Sequence, residues 1–442
     1  MDYTYIGFGV VTAVTVMYMI MVLLRRSSIK LKNIESKFYN ALIRFPYHAG
    51  GFDNTLGFPR NILKEIKYKK GLLKVDYQVP HSICVEEEGG VEDKSTRRML
   101  TLGGALALGD SLTTLVMMTD DSLHRPGVSV SLSGNMVDTT ATGATKDNTI
   151  YAGDVINIVC RTNKVGATIG FSEAFFCKNR RVLAHVRHIK YLKMGYLFDN
   201  WVGPLLPLFF DISCMMSHNG SLRPTKKAAL KRLSADCDVL LENSLNLGET
   251  AAAADEADTT DAQTLPKAAF SAMVHKGVEN PFGSLHGGAV ACIANEAALR
   301  TVGDAGTHKD VQVTAMEIDY LSAAKKGKMD IRVDPVMVCG GFTATSQGPV
   351  QKLDKYVAAQ LEKDLATCEI CSLDDLIVGE ERPAPVQADK TKASTPPAKG
   401  VCSSSVMNVA LKKAISTSSD KPGRKDPEKV YANCKVTISV RT

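Results

Sequence analysis

Two stretches of this sequence are long, nearly uncharged and crowded with small residues. One is "LTLGGALALGDSLTTLVMM", residues 100–118, and the other is "HGGAVACIANEAALRT", residues 286–301. Segments of this length and small-residue content read as helices buried on most of their surface. A chain that carries two of them needs two sets of elements to cover them. The surrounding sequence supplies both sets. The first helix is preceded by "LLKVDYQVP" and followed by four strand-like runs, "GVSVSLSGNM", "GDVINIVCRT", "ATIGFSEAFFC" and "RVLAHVRHIKYL". Turn signals such as "KDN" and "KNR" separate them. The second is preceded by "AAFSAMVHKG" and followed by "DVQVTAMEIDYL" and "KMDIRVDPVMVCGG". The same order of strand, helix and strands occurs twice, as an internal repeat. One helix followed by antiparallel-type strands with short connections predicts a strongly curved sheet around that helix, an α+β unit.

The repeat divides the 442 residues into segments. Residues 62–195 form the first unit. Residues 196–265 hold a helical segment and an acidic, alanine-rich linker. Residues 266–379 form the second unit. Residues 380–427 are rich in Pro, Ser, Lys and Thr, a composition that predicts a disordered insertion. Residues 428–442, which contain "KVYANCKVTISVRT", read as a last strand of the second unit.

The N-terminus is of another kind. Residues 3–24, "YTYIGFGVVTAVTVMYMIMVLL", carry no charge and are long enough to span about 30 Å of hydrocarbon. Arg25, Arg26, Lys30 and Lys32 follow at once, which places the rest of the chain on the cytosolic side. Residues 1–26 are therefore expected to be a single-pass membrane anchor, and 27–61 a connector. A cleaved signal peptide is the alternative, although the basic leading region is missing. The net charge of +6 is mild and predicts no nucleic-acid partner. The eleven cysteines are scattered, which favours free thiols in a reducing compartment over a disulfide framework or a metal site.

"NPFGSLHGGAVACIANEAALRT" resembles the central motif of the hotdog-fold acyl-CoA thioesterases of the phenylacetate-pathway type. "IDYLSAAKKG" extends the resemblance, and "RPGVSVSLSGNM" and "AHVRHIKYL" resemble strands of the same family in the first unit. The resemblance implies two tandem hotdog units with an active site between them. It implies hydrolysis of a fatty or aryl acyl-CoA to free acid and coenzyme A. No cofactor is implied beyond the coenzyme A of the substrate, and a homodimer of double units is compatible with it. A non-catalytic, membrane-tethered acyl-CoA-binding protein and a hotdog dehydratase are the alternative readings.

Gly287 and Gly288 allow close backbone approach and open a helix, whose free N–H groups favour developing negative charge. Without the resemblance they would read as a tight turn beside a structural histidine. With it, His286 and Asn280 are expected to contact the thioester or its water. The family's acid would fall on Asn295, with Glu296 one residue on, a rotation of about 100°. In the first unit Leu102 or Thr101 stands where the histidine would be, and the acid is Asp110 or, one residue on, Ser111. Ser129 matches a family serine, and Val313 is its counterpart. The losses are complementary: His286, Gly287 and Gly288 with Asp110 and Ser129 make one nearly complete site. The resemblance further implies substrate contacts from Tyr320 and Lys325, from Gly127, from the Lys164, Gly166 and Thr168 turn, and from His188.

Overall fold

The computed structural model describes residues 52–56, 61–86, 98–137, 148–179, 181–203, 268–280, 282–303, 310–339, 369–372, 402–413 and 429–441. The proposed anchor at 3–24 and most of the linker lie outside these residues.

The long helix α1 spans Leu102–Asp120 and begins at a definite cap. Thr101 is extended, and its hydroxyl accepts the Gly104 N–H at 2.9 Å. A threonine cap of this kind contributes about 1 kcal/mol. α1 is long and apolar enough to cross a membrane, yet its surface is almost wholly buried inside the protein. It is a core helix. The second helix, α2, spans Gly287–Gly303.

Strands β1 (Ile62–Lys69), β2 (Leu72–Gln78), β5 (Val128–Met136), β6 (Val155–Val165), β7 (Ile169–Lys178) and β8 (Arg181–Tyr191) come from the first half. β9 (Ala268–Val274), β10 (Asp310–Tyr320), β11 (Gly327–Cys339), β12 (Glu369–Ser372), β13 (Cys402–Lys413) and β14 (Val430–Arg441) come from the second. All twelve join one antiparallel sheet in the order β12-β1-β2-β6-β7-β8-β5-β10-β14-β13-β11-β9. β3 (Cys84–Glu86) and β4 (Arg98–Leu100) pair separately. α1 packs on β5 to β8, and α2 packs on β10, β11, β13 and β14. A long helix covered by an antiparallel sheet is a hotdog-like α+β arrangement. The halves join where β5 pairs with β10, from Asn135↔Ala315 to Ser131↔Asp319.

The small residues of both helices have a packing reason. A Cβ on Gly288 would lie 2.6 Å from Ala107 Cα, and one on Gly103 would lie 2.8 Å from Asn295 Cβ. The N-terminus of each helix thus presses on the middle of the other, at a distance only glycine permits.

Three expectations about segments need correction. Residues 402–413 lie inside the segment expected to be disordered, yet they form β13 between β11 and β14. Met407, Val409 and Leu411 are buried while Asn408 is exposed, a period-2 pattern hidden by the polar composition around it. Residues 369–372, placed by sequence in the second unit, pair with β1 at the far edge of the first half. Part of the supposed connector, a helical turn at Phe52–Thr55, packs into the core.

Candidate active site

The two helix starts are built alike but finished differently. Thr101 stands before α1 and His286 before α2. Each offers its carbonyl to the fourth residue on, Ala105 and Val290 respectively. Gly288 N–H, in the first turn of α2, donates to Asp110 Oδ2 at 2.9 Å and shares that hydrogen with His286 Nδ1 at 3.0 Å. In the mirror arrangement Gly103 N–H, in the first turn of α1, donates to Asn295 Oδ1 at 3.2 Å. In both cases the acceptor lies seven residues beyond the glycine of its own helix. This fixes the register that the sequence left open. Asp110, not Ser111, is the counterpart of Asn295, and Thr101, not Leu102, is the counterpart of His286.

Asp110 is the hub. Ser129 Oγ–H donates to Asp110 Oδ1 at 3.1 Å. His188 Nε2 lies 3.2 Å from the same oxygen and 3.0 Å from Ser129 Oγ. His188 Nδ1 meets Thr113 Oγ1 at 2.8 Å. A bare nitrogen lone pair facing a carboxylate would be repelled, so Nε2 carries a proton towards Asp110 and Ser129. Burial drives the His188 imidazole down to about 3, so it is neutral at pH 7. Burial alone would raise the Asp110 carboxyl. His188, His286 and Lys190 around it, with the Ser129 hydroxyl, hold it below the ordinary aspartate range instead. Asp110 is therefore an ionised carboxylate seated on a helix N-terminus, where the helix dipole favours it.

His286 is buried, 3.2 Å from Asp110 through Nδ1, with the Phe52 ring at 5.1 Å. Its Nε2 faces Asp53 Oδ1 at 3.7 Å. Asp53 also accepts the Ser111 hydroxyl at 2.6 Å. Tyr320 donates its hydroxyl to Gly287 O at 2.8 Å, and burial keeps that phenol protonated. The first N–H of a helix has no carbonyl partner within the helix. Gly287 lines a cavity of about 840 Å³, and no hydrogen bond to its N–H is found among the described residues.

Asp110, Ser111, Thr114, Leu115 and Met118 of α1 line the cavity, together with Val128, Ser129 and Lys190. The Asn280–Ser284 loop and the Tyr320–Lys325 turn contribute further lining residues. Asn280 Oδ1 accepts the N–H groups of Phe282 and Ser284 at 2.9 and 3.2 Å, and its amide donates to Ser284 Oγ at 2.8 Å. It shapes its own loop at the cavity rim.

The structure brings together Asn280, His286, Gly287, Gly288, Asp110 and Ser129. It leaves Glu296 elsewhere, paired with Arg300 at 2.7 Å, while Asn295 is buried against Gly103. Gly127, Tyr320 and Lys325 line the cavity. Lys164, Gly166 and Thr168 are not among its lining residues. His188, expected to touch coenzyme A, is fully buried behind Asp110. Its strand alternates inward at Val186, His188 and Lys190, and the inward face of β8 meets α1 rather than solvent. The same alternation could have revealed Lys190, which the sequence reading missed. Phe52 and Asp53 carry no local signal, since a single turn in a Gly/Pro-rich connector has no periodicity. Among the described residues no cluster of His, Cys, Asp and Glu could hold a metal ion.

Residues 277–338 match the acyl-CoA thioesterase N-terminal domain family. Thioester hydrolase is the enzyme class this match supports. No curated protein matches the chain. Among solved structures, a candidate thioesterase from Novosphingobium aromaticivorans shares 12% identity over 86% of this chain and 98% of its own, with a TM-score of 0.39. Thioesterase superfamily member 2 from zebrafish shares 22% identity over 34% of this chain and 93% of its own, with a TM-score of 0.25. The mouse form of that protein shares 20% identity over 37% of this chain and 98% of its own, with a TM-score of 0.25.

Proposed function

We propose that the chain is an acyl-CoA thioesterase of tandem hotdog architecture, with one working site shared by its halves. The observation that carries this reading is Asp110 of α1, ionised and seated on the N-terminus of α2. The match at residues 277–338 supports the same class.

The chemistry follows from the groups present. The thioester carbonyl oxygen points at Gly287 N–H and the start of α2. Asp110 takes a proton from a water that Ser129 orients, and the resulting hydroxide attacks the carbonyl carbon. Negative charge moves to the carbonyl oxygen, where the Gly287 N–H stabilises it. One such donor lowers the barrier by about 3 to 4 kcal/mol. Collapse of the intermediate breaks the C–S bond, and the thiolate leaves with the proton held by Asp110. Neutral His188 keeps Asp110 and Ser129 in place, and Tyr320 fixes the Gly287 peptide through its carbonyl. Lys325 at the rim suits a phosphate of coenzyme A as a point charge. The mirror position has Thr101, Leu102, Asn295 and Val313 and offers neither acid nor serine.

Residues 3–24 would hold this enzyme on the cytosolic face of a membrane. The decisive experiment follows thiol release by the full chain in detergent from acyl-CoAs of several chain lengths. Turnover supports the reading. Tight acyl-CoA binding with no release of coenzyme A overturns it in favour of a binding protein.

A further inference from the structure

The cavity wall beside Asp110 carries a polar patch whose members take no direct part in the hydrolytic step. Lys190 of β8 is 5% exposed and lines the cavity. Its ammonium donates to Thr114 Oγ1 at 2.8 Å. Thr114 spends its own hydrogen on the Asp110 carbonyl at 2.6 Å. Among the described residues no carboxylate lies within salt-bridge distance of the Lys190 ammonium, and no acceptor other than Thr114 is found for it. Burial pulls this lysine down to about 8, opposed by the charges of Asp110 and Asp53. One turn earlier on the same helix face, Ser111 donates to Asp53 at 2.6 Å, and Asp53 is 7% exposed. Residues three apart on a helix are about 5 to 6 Å apart at Cβ. The acceptor Asp53 and the donor Lys190 thus bracket a short stretch of wall. Beyond it the wall turns apolar, at Leu115, Met118, Val128, Met194 and Phe198.

A plain hydrocarbon chain leaving Asp110 along α1 would cover the Lys190 ammonium and leave its donors unmet, a costly arrangement. An added carboxylate would meet Asp53 and Asp110 in the same space. A hydroxyl suits both neighbours, since it can accept from Lys190 and donate to Asp53. We propose that Lys190 and Asp53 form a specificity subsite for acyl groups bearing a hydroxyl, so that the preferred substrates are hydroxyacyl-CoAs. This rests on the thioesterase reading. The hydroxyl would sit about one helical turn, roughly 5 Å, from the thioester carbon.

The test uses the full chain and matched pairs of acyl-CoAs of equal length, saturated or hydroxylated at carbon 3, 4, 5 or 6. The expected result is at least one hydroxylated member with kcat/KM about tenfold or more above its saturated partner, and a ratio near one in Lys190→Met. Lys190→Arg, which keeps donors and charge, is expected to retain a preference. Equal rates for every pair in the unaltered protein, or a preference that survives Lys190→Met, overturn the proposal. Binding of the corresponding non-hydrolysable thioethers is measured alongside by calorimetry. If no acyl-CoA is hydrolysed, the thioesterase reading fails. The thioether affinities then still decide the subsite, upheld by a hydroxyl preference lost in Lys190→Met and overturned by equal affinities.

Discussion

Asp110 accepts the backbone N–H of Gly288 at 2.9 Å, across 178 residues of chain. That bond ties the acid of one helix to the first turn of the other, and the predictions below follow from it.

Replacing Asp110 by Asn keeps an oxygen for Gly288 N–H but removes the base. Turnover is expected to fall about 10²- to 10⁴-fold with an unchanged circular dichroism spectrum. A variant that stays fully active would remove Asp110 from the reaction.

Glu296→Gln is the matching control. Glu296 pairs with Arg300 four residues on, and the Arg300 side chain is 36% exposed. Activity is expected to stay within about twofold, with a stability loss of about 0.3 to 0.5 kcal/mol in urea titration. Loss of turnover here, with Asp110→Asn active, would transfer the acid to Glu296.

Gly287→Val is expected to abolish turnover. A Cβ at Gly287 would lie 2.8 Å from Asp110 Oδ2 and 3.2 Å from the Tyr320 hydroxyl. The carboxylate and the phenol would both have to move. Gly287→Ala should show the same defect in smaller measure, and normal kinetics for both would show that this approach is not needed.

The pH dependence has a definite sign. Asp110 titrates below the ordinary aspartate value, so kcat/KM should show no acid limb between pH 5 and 7. His188 is lowered from 6.5 to about 3 in the folded protein, mainly by burial. Its contribution to stability is complete above pH 6.5 and is lost as pH falls from 6.5 towards 3, while the unfolded chain binds the proton first. The melting temperature should therefore decline over that window, and His188→Gln should flatten the decline. An unchanged slope in that variant would assign the effect to other groups.

The full chain is expected to stay with membranes after carbonate extraction, and a chain lacking residues 1–26 to be released. Release of both would remove the anchor from the account.

Much of this protein was legible in the sequence because the signals were local. Length and small-residue content marked both core helices, and alternation marked β2, β5 to β8, β10, β11 and β14. "HGG" marked a helix start with an open N–H, since glycine is required wherever a backbone must come close. β13 escaped because its alternation is short and stands in a polar, proline-rich neighbourhood. The acid could not be fixed from sequence. A one-residue shift changes a helix position by about 100°, and only the packing of Gly103 on Asn295 and of Gly288 on Ala107 sets the register. Tertiary structure also decided the fate of His188 and Lys190. Their strand placed both on one face, but whether that face met solvent or a helix depended on where α1 lay. Asp53 joined the site solely through folding, because a single helical turn in a connector holds its side chain against Ser111 and His286 only when both halves are already assembled around it.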